Sequence, residues 1–266
     1  MMRPTYLLID ISNSFTKLAF ASATRIGRPR RIRTDQLTAV FLASLLRKQN
    51  PGKIIVSSVV PKKNRAVATA AGRRSLLWLT HRLKLGVGIE YPAPATIGAD
   101  RLANAAAVAV LYGYPAVVVD FGTAVTFDIV SEKKNYVGGV IAPGLEAMTN
   151  FLYQRTALLP RLKLKEPHRA VGKSTAQAMM SGAVFGYRGL VGEILSRIKA
   201  EAFKNRPVKI VATGGYARLI ARQLPEIDAI HSNLTLEGLR IIANLNFQNL
   251  SVPPQSKRVR QKREQD

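Results

Sequence analysis

Two stretches of the chain repeat one pattern: Leu7–Phe20 reads LLIDISNSFTKLAF, and Val117–Val130 reads VVVDFGTAVTFDIV. Each is an apolar strand ending on an aspartate (Asp10, Asp120), then a turn of small or hydroxylated residues, then a second strand. An Asp that closes a run of Val, Ile and Leu sits where a buried strand emerges, so its carboxylate faces a crevice. In the turns, Ser12, Asn13 and Ser14, and Gly122, Thr123 and Ala124, let backbone N–H groups and hydroxyls approach a ligand, as an anion-binding nest requires. One strand–Asp–Gly turn alone is ordinary hairpin chemistry. Two copies, each with a carboxylate for a cation and a hydroxyl-rich turn for phosphates, predict a nucleotide gripped between two related domains.

The rest of the chain narrows the chemistry by exclusion. There are no cysteines among its 266 residues, which removes disulfides, thiolate nucleophiles and Cys-ligated metals and fits a reducing compartment. No apolar stretch approaches the twenty residues that a bilayer span needs, and Asp10 interrupts the first one, so the expectation is a soluble cytoplasmic protein. The three histidines (His81, His168, His231) lie outside every motif, which disfavours a His-based triad or a zinc site. Carboxylates, hydroxyls and glycine turns remain, a set suited to phosphoryl transfer around Mg²⁺. The formal charge is +24, from 40 Lys and Arg against 16 Asp and Glu. Such a balance suits a polyanionic partner, such as nucleic acid or a phosphorylated metabolite, and equally a solvated basic surface.

Acids are scarce, and Asp10, Asp100, Asp120 and Asp128 all fall within motif segments. Asp100, in Gly98–Ala99–Asp100–Arg101 at the mouth of an Ala-rich helix, is the candidate general base, with Arg101 beside it for an anionic substrate group. Spacing alone leaves a helix cap as an equal reading of Asp100. Helical and strand patterns alternate throughout, which gives an α/β class. Helices are expected at Gln36–Gln49, Lys63–Leu83, Leu102–Tyr112, Leu145–Tyr153, Ser174–Lys204 (broken near Gly186–Gly189) and Leu234–Asn246. Strands are expected at Lys53–Val60, Asn135–Ile141 and Lys209–Ala212.

In order and spacing, Asp10–Lys17, Gly98–Arg101, Asp120–Asp128, Gly138–Gly144 (GGVIAPG), Thr213–Gly215 and Leu234–Leu239 resemble the signature of type III pantothenate kinases. The resemblance runs from about Tyr6 to Asn246. It implies two related ribonuclease H-like (actin-like ATPase) domains, each a mixed sheet flanked by helices, over residues 1–113 and 114–250. Beyond it, residues 251–266 carry basic charge and no apolar periodicity, so a disordered basic tail is expected there. The resemblance further implies ATP-dependent phosphorylation of pantothenate, with ATP, Mg²⁺ and K⁺ or NH₄⁺ as requirements and a homodimer as the assembly. Residue by residue, it assigns Asp10, Ile11, Ser12, Asn13, Ser14, Phe15, Thr16, Lys17 and Thr123 to ATP. Tyr91, Gly98, Ala99, Asp100, Arg101 and Thr175 go to pantothenate, with Asp100 catalytic, and Asp120 goes to the monovalent cation. The family's first motif reads Asp-x-Gly-Asn-Thr, whereas here Ser12 replaces the Gly and Ser14 the Thr. Ser14 keeps the hydroxyl, while Ser12 adds a Cβ that costs ~1 kcal/mol or more at any φ > 0. The alternative is a non-enzymatic transcriptional accessory factor on the same scaffold, with weak nucleic-acid binding through the basic surface and tail.

Overall fold

The computed structural model describes residues 5–247, so the expected basic tail lies outside the described residues. The first motif forms the hairpin β1 (Tyr6–Ile11) and β2 (Phe15–Ala21), extended by β3 (Arg30–Arg33). After helix α1 (Ala39–Gln49), capped by Thr38 Oγ1 on the Phe41 N–H, come β4 (Lys53–Ser58), α2 (Pro61–Ala71) and β5 (Ser75–Trp78). The sheet order is β3-β2-β1-β4-β5, with β2 antiparallel to both neighbours and β4 and β5 parallel to β1. A short strand β6 (Gly88–Ile89) and helix α3 (Ala99–Leu111) lead into the second motif.

That motif repeats the pattern. Strands β7 (Ala116–Phe121), β8 (Ala124–Val130) and β9 (Asn135–Pro143) form an antiparallel meander. Helices α4 (Leu145–Arg155) and α5 (Thr175–Phe203) follow, then β10 (Lys209–Gly214), α6 (Ala217–Ile220), β11 (Ala229–Ile230) and α7 (Leu234–Phe247). The second sheet runs β9-β8-β7-β10-β11 in the same order and orientation as the first, with β6 added beside β9. The duplication legible in the two hairpins therefore extends to whole sheets. The class is α/β, with two mixed sheets flanked by helices.

The two sheets stack through shared helices. Leu7, Ile9 and Ile11 on one face of β1 pack against α1 and α2. Tyr6 and Leu8 on its other face meet α3 and α7, which also cover Ala116 and Val118 of β7. The opposite face of β7, Val117, Val119 and Phe121, is closed by α5. The Ala-rich composition of α3 is explained by this middle layer, where small side chains let helix and sheets approach on all sides. Gly238 of α7 has the same role, because a Cβ there would strike the backbone of Ala103.

Two expected helices differ from what is observed. Lys63–Leu83 is not one helix: α2 ends at Gly72, whose φ of +58° suits the residue without a Cβ, and Leu76–Leu77–Trp78 become β5 beside β4. In contrast, α5 runs unbroken through Gly186 and Gly189, each of which faces open space. Among the described residues no helix is long and apolar enough to cross a membrane.

Candidate active site

Strand alternation aims the acids into the middle layer. Tyr6 and Leu8 face α3 and α7, and by the period of two so does Asp10; the same count from Ala116 and Val118 turns Asp120 to that side. The parallel neighbours in register carry hydroxyls: Ser57 beside Asp10 and Thr213 beside Asp120. Each carboxylate therefore stands at the carboxyl end of its sheet next to a buried hydroxyl, in two symmetrical copies. The first turn of α3 brings Asp100 within electrostatic reach of both, and Gly98 leaves room, since a Cβ there would approach Asp100 Oδ1 to 2.6 Å.

The two turns meet. The hydroxyls of Ser14 and Thr123, far apart in sequence, hydrogen-bond to one another at 3.0 Å. Lys17 Nζ donates to the carbonyl of Ser232 at 3.3 Å, so a cation spans from β2 to the loop before α7. The ring of Phe15 lies under the Arg31 guanidinium, 3.4 Å from the centroid. Ile11 and Thr16 point instead into the protein, Thr16 bonded to Thr34 Oγ1 at 3.1 Å. Asn13 is exposed at the turn. Ser12 is absent from the residues with positive φ, and so is Gly122, which likewise stands two residues after its aspartate. The turn therefore does not use the conformation that would penalise Ser12. Its carbonyl instead accepts a 2.6 Å hydrogen bond from Thr34 Oγ1.

Crowding of carboxylates dominates the electrostatics. Burial, and then the charges of Asp100 and Asp120, push the Asp10 carboxyl up to about 7, against the opposing pull of Lys17. Asp100 is raised by burial and by Asp120, although the Arg101 backbone N–H donates to its Oδ1 at 2.9 Å. Burial also raises Asp120, offset in part by Lys17 and by a 3.3 Å hydrogen bond from Asn104 Nδ2. Asn104 is in turn fixed by Thr235 Oγ1, which donates to its Oδ1 at 2.9 Å. Asp10 Oδ1, Ser57 Oγ and Thr213 Oγ1 are buried without a partner in hydrogen-bond geometry, although Ser57 lies close enough to Asp10 to pull its carboxyl down a little. With Asp10, Asp100, Asp120 and Asp128 all ionised, Lys17 and Arg101 leave the cluster two positive charges short. Orphaned oxygens and a charge deficit fit a cation-binding site. Among the described residues no three His, Cys, Asp or Glu side chains group closely enough to hold a metal by themselves. A site of this kind, an orphaned carboxylate oxygen in a cluster short of positive charge, fits Mg²⁺, which usually takes one or two carboxylates and completes its shell with phosphates and water.

On the far side of Asp100, Tyr91 packs its ring 3.6 Å from where a Gly138 Cβ would stand, edge-on to Tyr136. Gly138 has φ +131°, a conformation open to glycine. Arg101 reaches across to Asp128. Sequence reasoning noticed Asp128 but gave it no role; its place in β8 opposite Gly139 became visible only with strand register. Thr175 is exposed in the first turn of α5, with no hydrogen bond to the cluster within the single chain.

The model of the family described as type III pantothenate kinase matches residues 6–197. The chain belongs to this family. A type III pantothenate kinase of Akkermansia muciniphila is 49% identical over 91% of this chain and 100% of its own length. Another, from Methylacidiphilum infernorum, is 43% identical over 90% of this chain and 88% of its own. Solved structures share the fold at low identity. A putative Baf family transcriptional activator from Campylobacter jejuni superposes with a TM-score of 0.58 at 20% identity, over 92% of this chain and all of its own. A putative 2-dehydro-3-deoxygalactonokinase from Sinorhizobium meliloti gives 0.56 at 14% identity, over 97% of this chain and all of its own. At those identities the likeness concerns the fold alone.

Proposed function

We propose that this chain transfers the γ-phosphoryl group of ATP to the primary hydroxyl of pantothenate, giving 4′-phosphopantothenate, the first step toward coenzyme A. The observation that carries the reading is Asp100, half-buried in the first turn of α3 with its carboxyl raised by burial and by Asp120, together with two phosphate-type turns that touch through Ser14 and Thr123. In this reading Asp100 accepts the proton of the attacking hydroxyl, for which a raised carboxyl is better matched than an ordinary one. Residues Asp10–Lys17 and Thr123 receive the triphosphate, with Ser14, Thr123 and Lys17 supplying hydroxyls and charge. Ile11 and Thr16 support the turn from the core side. Magnesium, when bound, would supply charge neutralisation to the transferred phosphoryl group, and Asp10 would help hold it. Asp120, with Thr213 beside it, holds K⁺ or NH₄⁺. Tyr91, Gly98, Ala99 and Arg101 receive pantothenate.

The active assembly is a homodimer in this reading, supported by the exposed apolar side chains Met148, Phe151, Leu152 and Phe185 on α4 and α5. Thr175 would then reach the partner's substrate. The working units are residues 1–113 and 114–250, closing on each other in the cytoplasm. A coupled assay of ADP release with pantothenate, Mg²⁺ and either K⁺ or Na⁺ tests the function. Pantothenate-dependent ADP that requires K⁺ or NH₄⁺ is expected, and ADP release indifferent to pantothenate would refute it.

A further inference from the structure

The side chain of Arg101 leaves the first turn of α3 and reaches the second sheet. Its Nε donates to Asp128 Oδ1 at 2.5 Å, and Nη2 donates to the Phe127 carbonyl at 3.4 Å. The guanidinium carbon lies 5.7 Å from the centroid of the Tyr136 ring. Asp128 has 0% exposure, and its Oδ2 has no partner. Opposite it in β9 is Gly139, where a Cβ would come 2.5 Å from Arg101 Nη2 and strike the Phe127 carbonyl. An acid and a glycine at one register position thus make a seat shaped for a single guanidinium.

Stability does not explain this seat. A buried ion pair gains little over well-packed apolar residues of the same volume, because both charges must be desolvated. What the pair does provide is direction. A guanidinium is planar with five N–H donors in fixed positions, so holding Nε and one Nη2 hydrogen determines where the other three point. Those three stay available beside Asp100.

We propose that Asp128 is a positioning residue for substrate recognition: opposite Gly139 it orients Arg101 so that the free Nη hydrogens receive the carboxylate of the substrate. Asp128 thereby sets the preference for a carboxylate-bearing substrate over the same molecule with a neutral end. The proposal rests on Arg101 being a substrate residue, and the test separates the two. Steady-state constants for pantothenate and for pantothenyl alcohol, its uncharged analogue, are measured for the wild type, Arg101→Gln, Asp128→Asn and the double variant. Arg101→Gln should raise the pantothenate KM by roughly 10- to 100-fold, the worth of one charge-assisted hydrogen-bonded contact, and remove most of the preference over the alcohol. Asp128→Asn should do the same, with the loss carried by KM more than by kcat, and the double variant should be no worse than Arg101→Gln.

If Arg101→Gln keeps the wild-type preference, the reading of Arg101 itself fails. If Arg101→Gln loses it while Asp128→Asn keeps it, or if Asp128→Asn lowers only kcat, the positioning inference fails. Should Asp128→Asn not fold, the double variant decides, since it leaves no unpaired buried charge: further loss of preference beyond Arg101→Gln would overturn the proposal.

Discussion

Replacing Asp10 by Asn should make the ligand-free protein more stable, and by an amount that depends on pH. The carboxyl is raised from its ordinary 3.8 to about 7, first by burial and then by Asp100 and Asp120. A raised acid binds its proton more tightly in the folded than in the unfolded chain, so folding stability falls as pH rises between these two values. At pH 8 the folded state carries a charge it disfavours, a cost on the order of 4 kcal/mol by linkage; at pH 5 it stays protonated and the cost is roughly half of that. Asn keeps the shape of Asp10 and has no charge to titrate. Urea unfolding of both proteins, without nucleotide or divalent cation, should show Asp10→Asn ahead at pH 8, with its advantage shrinking by roughly half at pH 5. Adding Mg²⁺ and ATP should stabilise the wild type and not the variant, reversing their order. An advantage that is equal at the two pH values, or that grows toward pH 5, would show that the buried charge is not what the fold is carrying at this position.

Asp100→Asn should lower turnover by roughly 10²- to 10⁴-fold while leaving ATP binding nearly unchanged, as for loss of a positioned base; retention of more than half the turnover would show that Asp100 is not the base. For the wild type, kcat should fall as pH drops through the raised pKa of Asp100, because the base is lost on protonation, and a flat acid limb in a pH–rate profile would contradict this. Asp120→Ala should abolish the response to K⁺ in a KCl titration, and an unchanged response would exclude its carboxylate as the ligand. Ser12→Gly should leave the apparent ATP KM within about twofold and cost up to ~1 kcal/mol in thermal stability, since Ser12 does not occupy the region that favours glycine; a markedly altered KM would reveal a contact from the Ser12 hydroxyl.

The hairpins were legible because alternation and turn chemistry act locally: the Asp10 and Asp120 strands, the α3 run and the α7 run were all placed from neighbouring residues. Leu76–Leu77–Trp78 were misread because a short apolar run has no period of its own, and only pairing with Lys53–Val56 makes it a strand. Gly72 was the available stop signal. Glycines at 186 and 189 misled in the other direction, since a glycine on an open helix face weakens a helix without ending it. At the site, sequence order supplied Asp10, Asp100 and Asp120, but the role of Asp128 needed register: opposite Gly139 it is a seat, and one residue along it would face the other side of the sheet. The orphaned hydroxyls of Ser57 and Thr213 were hidden for the same reason, because parallel neighbours cannot be read from either strand alone.

The sharing of α7 has a consequence for how this protein is made. Strands β1, β2, β4 and β5 leave the ribosome early, yet the helix that seals one face of β1, β2 and β4 is the last one described. Until Leu234–Phe247 has emerged, that face of the first sheet has only the part of its cover that α3 supplies, and Tyr6, Leu8 and Ile55 stay partly open to chaperones or to neighbouring chains. The early half of the molecule therefore completes its fold only after synthesis of the late half, and a stalled or prematurely ended polypeptide would expose an apolar sheet face, not a finished domain.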